Sequence, residues 1–190
     1  GAYTYTLEQT LAEAAHAKNG LTREFHIVGG LDMNAGFEYY ATMFRALKQH
    51  HPQVHIKALT AVEIAHIARI DKMSVRDVLI QLREAGLDTM PGGGAEVFSK
   101  GVRATIADRK LSGEEYIAVH QTAHELGIRT NCTMLYGHVE AIEDRIEHLA
   151  MLRELQDRTG GFLAYIPLAY HPDNNELGET LHRVGTATTG

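Results

Sequence analysis

Five short β-rich runs, each separated from the next by an amphipathic helical stretch, constrain this chain more than any other feature. The runs start at Phe25, Val54, Asp88, Ile128 and Phe162, so the intervals are 29, 34, 40 and 34 residues, each long enough to hold a helix. A strand joined through a helix to the next strand of its sheet returns parallel, because the crossover carries the chain back to its starting edge. The predicted class is therefore α/β, with about five parallel βα units in a single domain over residues 1–190. An open doubly wound sheet and a βα barrel both fit that alternation. The unusual residues favour the barrel. Gly29-Gly30 and residues 60–63, 92–96, 136–140 and 167–172 all follow strands, and a barrel gathers such loops on one face, whereas an open sheet divides them. Five units do not close a barrel that usually takes about 250 residues. The prediction is a partial TIM-type barrel, incomplete at both ends.

Helix boundaries are written into the sequence. Thr6-Leu7-Glu8-Gln9 and Ser112-Gly113-Glu114-Glu115 have the form of capping boxes, in which the hydroxyl and the later polar side chain each satisfy an orphan N–H. Asn19-Gly20 reads as a left-handed stop to the first helix. Phe37, Tyr40, Phe44 and Leu47 recur at helical spacing until Pro52 forbids continuation. Residues 54–60 alternate, with His55 and Lys57 on the polar face of a strand. Residues 62–70 form a short helix, and Ser74 opens another that stops at Gly86. Ile142, Ile146, Leu149, Leu152 and Leu155 predict one apolar stripe on a long helix ended by Gly160-Gly161. The last strand covers residues 162–166.

Composition narrows the partners. A formal charge of −6 and no long Lys/Arg run argue against nucleic acid or an anionic membrane surface, which leaves a small-molecule partner. No run reaches a membrane span's length and no secretion signal is visible, so the expected location is cytoplasmic. The single Cys132 forms no internal disulfide, which fits a reducing compartment. Twelve histidines are many, yet none fall in a metal-helix spacing such as H-E-x-x-H, and no metal ligand set is assigned.

The stretch Met90-Pro91-Gly92-Gly93-Gly94-Ala95-Glu96 stands out chemically. Three glycines lacking β-carbons let backbone N–H groups approach a ligand closely. No Gly-Lys-Ser/Thr follows, so it is not a phosphate loop. A ligand-facing loop and a plain tight turn both remain open.

These loops together resemble the aminofutalosine synthases of the radical S-adenosylmethionine superfamily. The resemblance rests on Phe25-His26-Ile27-Val28-Gly29-Gly30-Leu31, Lys57-Ala58-Leu59-Thr60-Ala61-Val62-Glu63-Ile64 and residues 90–96, 131–140 and 166–172, and covers nearly the whole chain. It implies that an adenosyl radical from S-adenosylmethionine adds to the enol ether of 3-[(1-carboxyvinyl)oxy]benzoate. Rearrangement and loss of carboxylate then give aminofutalosine, a menaquinone precursor. The related dehypoxanthine futalosine cyclases share the triple glycine, but Val28 and Leu168-Ala169-Tyr170-His171 place this chain nearer the synthases. The superfamily holds a four-iron four-sulfur cluster on C-x-x-x-C-x-x-C, which is absent here, and Cys132 cannot replace three thiolates. The family pattern places that motif just before Tyr3, so the chain is expected to be an internal fragment, inactive alone.

By the same resemblance, Gly29 and Gly30 hold the methionine amino group. Thr133, Leu135 and Gly137 lie in the adenine-side motif with Glu140, and Ile166 offers backbone bonds to the adenine edge. Glu96 is the candidate for the ribose hydroxyls, since a carboxylate accepts from two at once. The substrate's two carboxylates need cationic or N–H partners once desolvated, which points to Lys57 and to the N–H groups of Gly92, Gly93 and Gly94. Lys57 paired with a neighbouring carboxylate is the competing reading. His138 and His171 are candidate proton donors or orienting groups, with a structural role as the alternative. Asn131 and Tyr136 are candidates for orientation.

Two other readings remain. A divalent metal on His26, His138 and His171 would support hydrolase or lyase chemistry on a βα scaffold. A homodimer through exposed sheet edges would complete the sheet of a fragment.

Overall fold

The computed structural model describes residues 4–16, 20–106, 111–173 and 176–180. The chain divides into two compact units, Gly1–Pro91 and Gly92–Gly190. Asn19, Tyr3 and the chain end at 190 lie outside the described residues.

The first unit opens with α1 (Leu7–Ala15), capped as predicted: Gln9 N–H donates to Thr6 Oγ1 at 3.2 Å and Thr6 N–H to Gln9 Oε1 at 2.8 Å. Strand β1 (Glu24–Ile27) leads to α2 (Phe37–His50), whose buried face carries the expected Phe37, Tyr40, Phe44 and Leu47. Gly36 offers no side chain to cap α2, and the Asp71 carboxylate accepts from Phe37 N–H instead. Strand β2 (His55–Ala58) buries Ile56 and Ala58 and leaves His55 and Lys57 on the wetter face. Helix α3 (Ala61–Ile70) starts one residue before the periodicity places it, on a full capping box between Thr60 and Glu63. Helix α4 (Val75–Ala85) is capped by Ser74 and ends at Gly86, where φ is 122°. Strand β3 (Thr89–Met90) is only two residues long.

The three strands pair in parallel, β1 with β2 from Glu24↔His55 to Ile27↔Ala58, and β2 with β3 through Lys57↔Thr89. Asp88 ties this layer together: one carboxylate oxygen accepts from Lys48 Nζ at 2.6 Å and from Ile56 N–H at 2.7 Å. Phe44, Leu47, Ile56, Ile64, Leu79 and Leu82 fill the core between sheet and helices. Burying each such side chain contributes roughly 1.5–3 kcal/mol.

In the second unit, α5 (Lys100–Ile106) has no counterpart in the sequence-level prediction. Helix α6 (Gly113–Glu125) carries the predicted Ser112 box, and β4 (Arg129–Tyr136), α7 (Ile142–Thr159), β5 (Phe162–Ala169) and α8 (Glu176–Thr180) follow. Strands β4 and β5 pair in parallel from Thr130↔Phe162 to Tyr136↔Ala169.

Two expectations are corrected here. Strand β5 does not stop before Pro167; it continues through it to Ala169. Tyr170 N–H donates to Tyr136 O at 2.8 Å, so past the register shift at Thr130/Asn131 the even-numbered backbone groups face β4 and the Pro167 nitrogen faces the other edge. Among the described residues β5 has no strand on that edge, and a missing donor costs nothing there. The second correction concerns α7, whose buried residues are His148, Leu152 and Leu155. Ile142, Ile146 and Leu149 are 59%, 60% and 41% exposed. At about 100° per residue they lie roughly 100–160° around the axis from His148, so the stripe read as one face is two. An imidazole, not an isoleucine, fills the inner position.

That core is unusually rich in histidine. Thr130 Oγ1 bonds His120 Nδ1 at 2.8 Å and His124 Nε2 at 2.9 Å, and His124 Nδ1 bonds Thr159 Oγ1 at 2.7 Å. Burial pushes His120 down to about 3, and His124 and His148 down to about 4. Among the described residues, no helix is long and apolar enough to cross a membrane.

The histidines set an acid limit. Well above pH 6.5 each ring is neutral folded or unfolded and contributes no pH dependence. As pH falls below 6.5 the unfolded chain takes up protons that the buried rings refuse, so stability declines until about pH 4 and levels off near 3. Each fully buried ring contributes up to about 1.4 kcal/mol per pH unit. The urea midpoint should fall steadily between pH 7 and pH 5, and His120→Asn should flatten that slope.

Candidate functional site

Within the first unit, chemistry-bearing residues collect where β1 and β2 end. Leu59 N–H donates to Ile27 O at 3.1 Å, extending the pairing by one step. Leu59 itself is fully buried with φ at 61°, a backbone state uncommon for a residue with a β-carbon and typical of sites that position something. It turns the chain so that Thr60 caps α3. The Glu63 carboxylate then works in two directions. Its Oε2 accepts from the Thr60 N–H and hydroxyl, both at 2.8 Å, and its Oε1 accepts from Gly29 N–H at 2.8 Å. Gly29 and Gly30 are exposed, and a β-carbon on Gly30 would meet nothing within 4 Å. Lys57 Nζ lies 2.9 Å from Glu24, an ion pair on the open side of β2. His26 is exposed on β1.

Within the second unit, the triple-glycine loop lies along β4. Gly92 is buried, and a β-carbon there would come within 2.7 Å of Cys132 Cα. The absence of a side chain at Gly92 thus serves close backbone packing on β4. Its carbonyl accepts from Tyr116 Oη at 2.7 Å and Thr133 Oγ1 at 2.6 Å. Arg103 of α5 reaches back to donate to Ala95 O at 2.6 Å and also to Leu111 O. The Glu96 carbonyl accepts from Leu135 N–H at 2.9 Å. Gly93 and Gly94 are half-buried, with Gly94 at φ 87° and Glu96 at φ 48°. With carbonyls of Gly92, Ala95 and Glu96 all occupied by interior donors, the loop is fixed in one conformation. Thr133 has both polar groups engaged, since its carbonyl accepts from His148 Nε2 at 2.9 Å beneath a Phe98 ring stacked 4.0 Å away.

The turn after β4 is organised by Glu140. Its carboxylate, with no exposed surface, accepts from Gly137 N–H at 2.6 Å and His138 N–H at 2.9 Å, and Arg145 closes it at 2.6 Å. Burial pushes this carboxyl up, but the Gly137 and His138 N–H groups outweigh it and hold it below the usual range. Gly137 supplies the left-handed φ of 89° that the turn needs. His138 is a fully buried ring whose Nδ1 accepts from Val139 N–H at 2.7 Å, which leaves the proton on Nε2, 3.0 Å from Leu135 O. Arg145 lies 5.5 Å over the Tyr136 ring. Ile166 and Leu168 of β5 are partly exposed, as is Leu135. His171 is exposed, with Asp173 3.7 Å away, and Asn131 is half-buried.

Among the described residues, no group of three His, Cys, Asp or Glu is placed to hold a metal ion. His26, His138 and His171 are therefore not assembled as zinc ligands. Arg103, Arg145, Tyr116 and His148 carry site contacts that sequence reasoning did not single out. Only Arg145 has a local signal, five residues after Glu140 at the start of a helix.

Comparison with known proteins follows this geometry. The family model described as Radical SAM superfamily matches residues 1–152. Aminodeoxyfutalosine synthase of Thermus thermophilus is 48% identical over 182 residues, which is 95% of this chain and 49% of that protein. Cyclic dehypoxanthine futalosine synthase of Streptomyces coelicolor is 46% identical over 149 residues, 78% of this chain and 37% of that protein. The chain spans about half the length of the first of these relatives, and less of the second. The crystal structure of methylornithine synthase superposes with a TM-score of 0.72 at 13% identity, covering 89% of this chain and 45% of that one. This last likeness speaks for the fold alone, a parallel βα partial barrel.

The packing of Gly92 is directly testable. Gly92→Ala inserts a methyl group where 2.7 Å is available to backbone on β4. It should destabilise the protein by about 1–3 kcal/mol, read from the urea midpoint.

Proposed function

Because this chain belongs to the radical SAM superfamily, we propose that the protein of which it is a part is an aminofutalosine synthase, joining S-adenosylmethionine and 3-[(1-carboxyvinyl)oxy]benzoate. The observation that carries this reading is 48% identity to a protein of that activity over 95% of the chain. The superfamily implies S-adenosylmethionine and a four-iron four-sulfur cluster. Cys132 does not fit the cluster: it is the chain's one cysteine, it is buried, and burial pushes its thiol up to about 12, far from a ligating thiolate. No cluster ligand is assigned to these residues.

S-adenosylmethionine does fit the groups present. Gly29 and Gly30 end β1 with open backbone, suited to the methionine end. Taken by itself, the second unit offers partly exposed Leu135, the Gly137 turn and the β5 backbone at Ile166, groups suited to an adenine ring. Thr133 would act from behind this surface, holding Gly92 in place, and Glu96 would take the ribose hydroxyls. When bound, S-adenosylmethionine would take one electron from the cluster and supply the deoxyadenosyl radical that adds to the enol ether. The chain's own part is to hold and shield. The N–H groups of Gly93 and Gly94, on a loop fixed through the carbonyls of Gly92, Ala95 and Glu96, would receive one substrate carboxylate. Lys57 would leave Glu24 for the other. Tyr136, under Arg145, and Asn131 would orient the ring, and His171, exposed after β5, is the available proton donor. His138, saturated within its turn, would shape the loop. A cytoplasmic location and, through the β5 edge, a homodimer accord with this reading.

The test uses protein expressed from the complete gene, with its cluster rebuilt anaerobically and both substrates supplied. Mass spectrometry should show aminofutalosine; cyclisation of dehypoxanthine futalosine instead would move the assignment to the sister enzyme. In the same assay Lys57→Met should raise KM for the benzoate at least tenfold with little change for S-adenosylmethionine. An unchanged KM would leave Lys57 as the partner of Glu24 alone.

A further inference from the structure

The loop that begins Gly92-Gly93-Gly94 is rich in glycine, yet its most strained backbone is not at a glycine. Glu96 sits at φ 48°, in the left-handed region that a residue with a β-carbon enters only at a cost. Glycine would adopt that state freely, as Gly94 does two residues earlier at φ 87°. The loop keeps a carboxylate there instead. Ala95, Val97 and Phe98 around it are buried, and Glu96 is the partly exposed member of the run. Strained backbone of this kind persists only where its surroundings over-determine it, and it clusters where a side chain must be placed.

Arg103 supplies most of that over-determination. It lies on α5 and is 6% exposed. One guanidinium nitrogen donates to Ala95 O at 2.6 Å and to Val97 O at 3.4 Å, the carbonyls on either side of Glu96. The other donates to Leu111 O. The carbonyl of Glu96 itself goes instead to β4, where it accepts from Leu135 N–H at 2.9 Å. Three successive carbonyls are thus gripped, with Glu96 at the centre. Among the described residues Arg103 forms no ion pair. Burial weakens its hold on its proton, opposed through space by Glu96, Glu115 and Glu114. A cation taken out of water and met by backbone carbonyls alone is a costly anchor for a seven-residue helix. Helix α5 is already seated by Val102, packed with Val97 and Met134. Anchoring α5 therefore leaves the charge at Arg103 unexplained.

We propose that Arg103 is a positioning residue: its grip on the two neighbouring carbonyls holds Glu96 in its left-handed state and so presents the Glu96 carboxylate to a hydroxylated ligand. This deepens the functional reading above and rests on it, since the vicinal hydroxyls available are those of the ribose of S-adenosylmethionine. Arg103 acts through Glu96 without touching the ligand. A lysine, which brings a point charge and no planar fork, replaces it only in part.

The experiment measures binding by calorimetry to the protein expressed from the complete gene, with its cluster rebuilt anaerobically and no reductant, using S-adenosylmethionine and its 2′-deoxy analogue. The wild type should prefer the full ribose by roughly 10- to 100-fold, the range of a hydrogen bond to a charged group. Arg103→Met, with urea unfolding still cooperative, should bring the two ligands within about threefold, because the preference and not the overall affinity reports the placement of Glu96. Glu96→Ala should do the same, and adding Arg103→Met to it should change the preference no further. Arg103→Lys should narrow the preference by a smaller factor, and it carries the test should Arg103→Met fail to fold. A folded Arg103 variant that weakens both ligands alike and keeps the wild-type preference would overturn the proposal, reducing Arg103 to an anchor of α5 and leaving the cofactor reading standing. Equal binding of the two ligands by the wild type would overturn it too, again without touching that reading. If the wild type bound neither ligand, both would fall together.

Discussion

Parallel pairing is the constraint on which the rest depends. Two parallel strands cannot be joined by a tight turn, so each pair here requires a returning helix, and every strand must end in a loop that leads away from the sheet. In the first unit that rule produces the exposed glycines after β1 and the strained Leu59 after β2. In the second it produces the Gly137 turn after β4 and the segment after β5. The strands are short, between two and eight residues, and every strand but β5 puts part of its side chains into a core or a half-buried layer. The chemistry sits where they stop.

Three loops, those after β1, β3 and β4, are each held by a carboxylate or guanidinium side chain acting on backbone. Glu63 takes the Gly29 N–H, Glu140 takes those of Gly137 and His138, and Arg103 takes the carbonyl of Ala95. Charged groups make stronger hydrogen bonds than neutral ones, so a single side chain suffices to fix several peptide units. Backbone fixed in this way needs no reorganisation when a ligand arrives, which is the condition for specific recognition by N–H and C=O groups. Glu140 has Arg145 as its counter-charge. Glu63 is met instead by the neutral donors of Gly29 and Thr60.

What could be read in the sequence was what local spacing controls. The boxes at Thr6 and Ser112 join residues three positions apart, and the stop at Gly160 is a single left-handed glycine, so neither needs knowledge of the tertiary fold. The strand intervals were legible for the same reason, and with them the parallel class. The side chains that set the loops were not, because the partners of Glu63 and Thr133 lie 34 and 41 residues away. The α7 stripe misled because hydrophobicity marks isoleucine as inner and histidine as outer, whereas His148 is buried by Phe98 and the Thr133 carbonyl. Gly92 was legible as a close approach, but not as one to the protein's own strand.

The proline in β5 bears on how this chain behaves in crowded solution. A strand of eight residues paired on one side only among the described residues, with several partly exposed apolar side chains, is a template for runaway strand addition. The Pro167 nitrogen falls on the outward edge, in the middle of the run, so any strand laid there loses a bond at that point and meets the ring. Indiscriminate addition is discouraged, as by the gatekeeper residues that flank unavoidable hydrophobic strands. Only a neighbour whose own sequence tolerates a gap at that register would seat well, which makes one residue a filter for what may join the sheet.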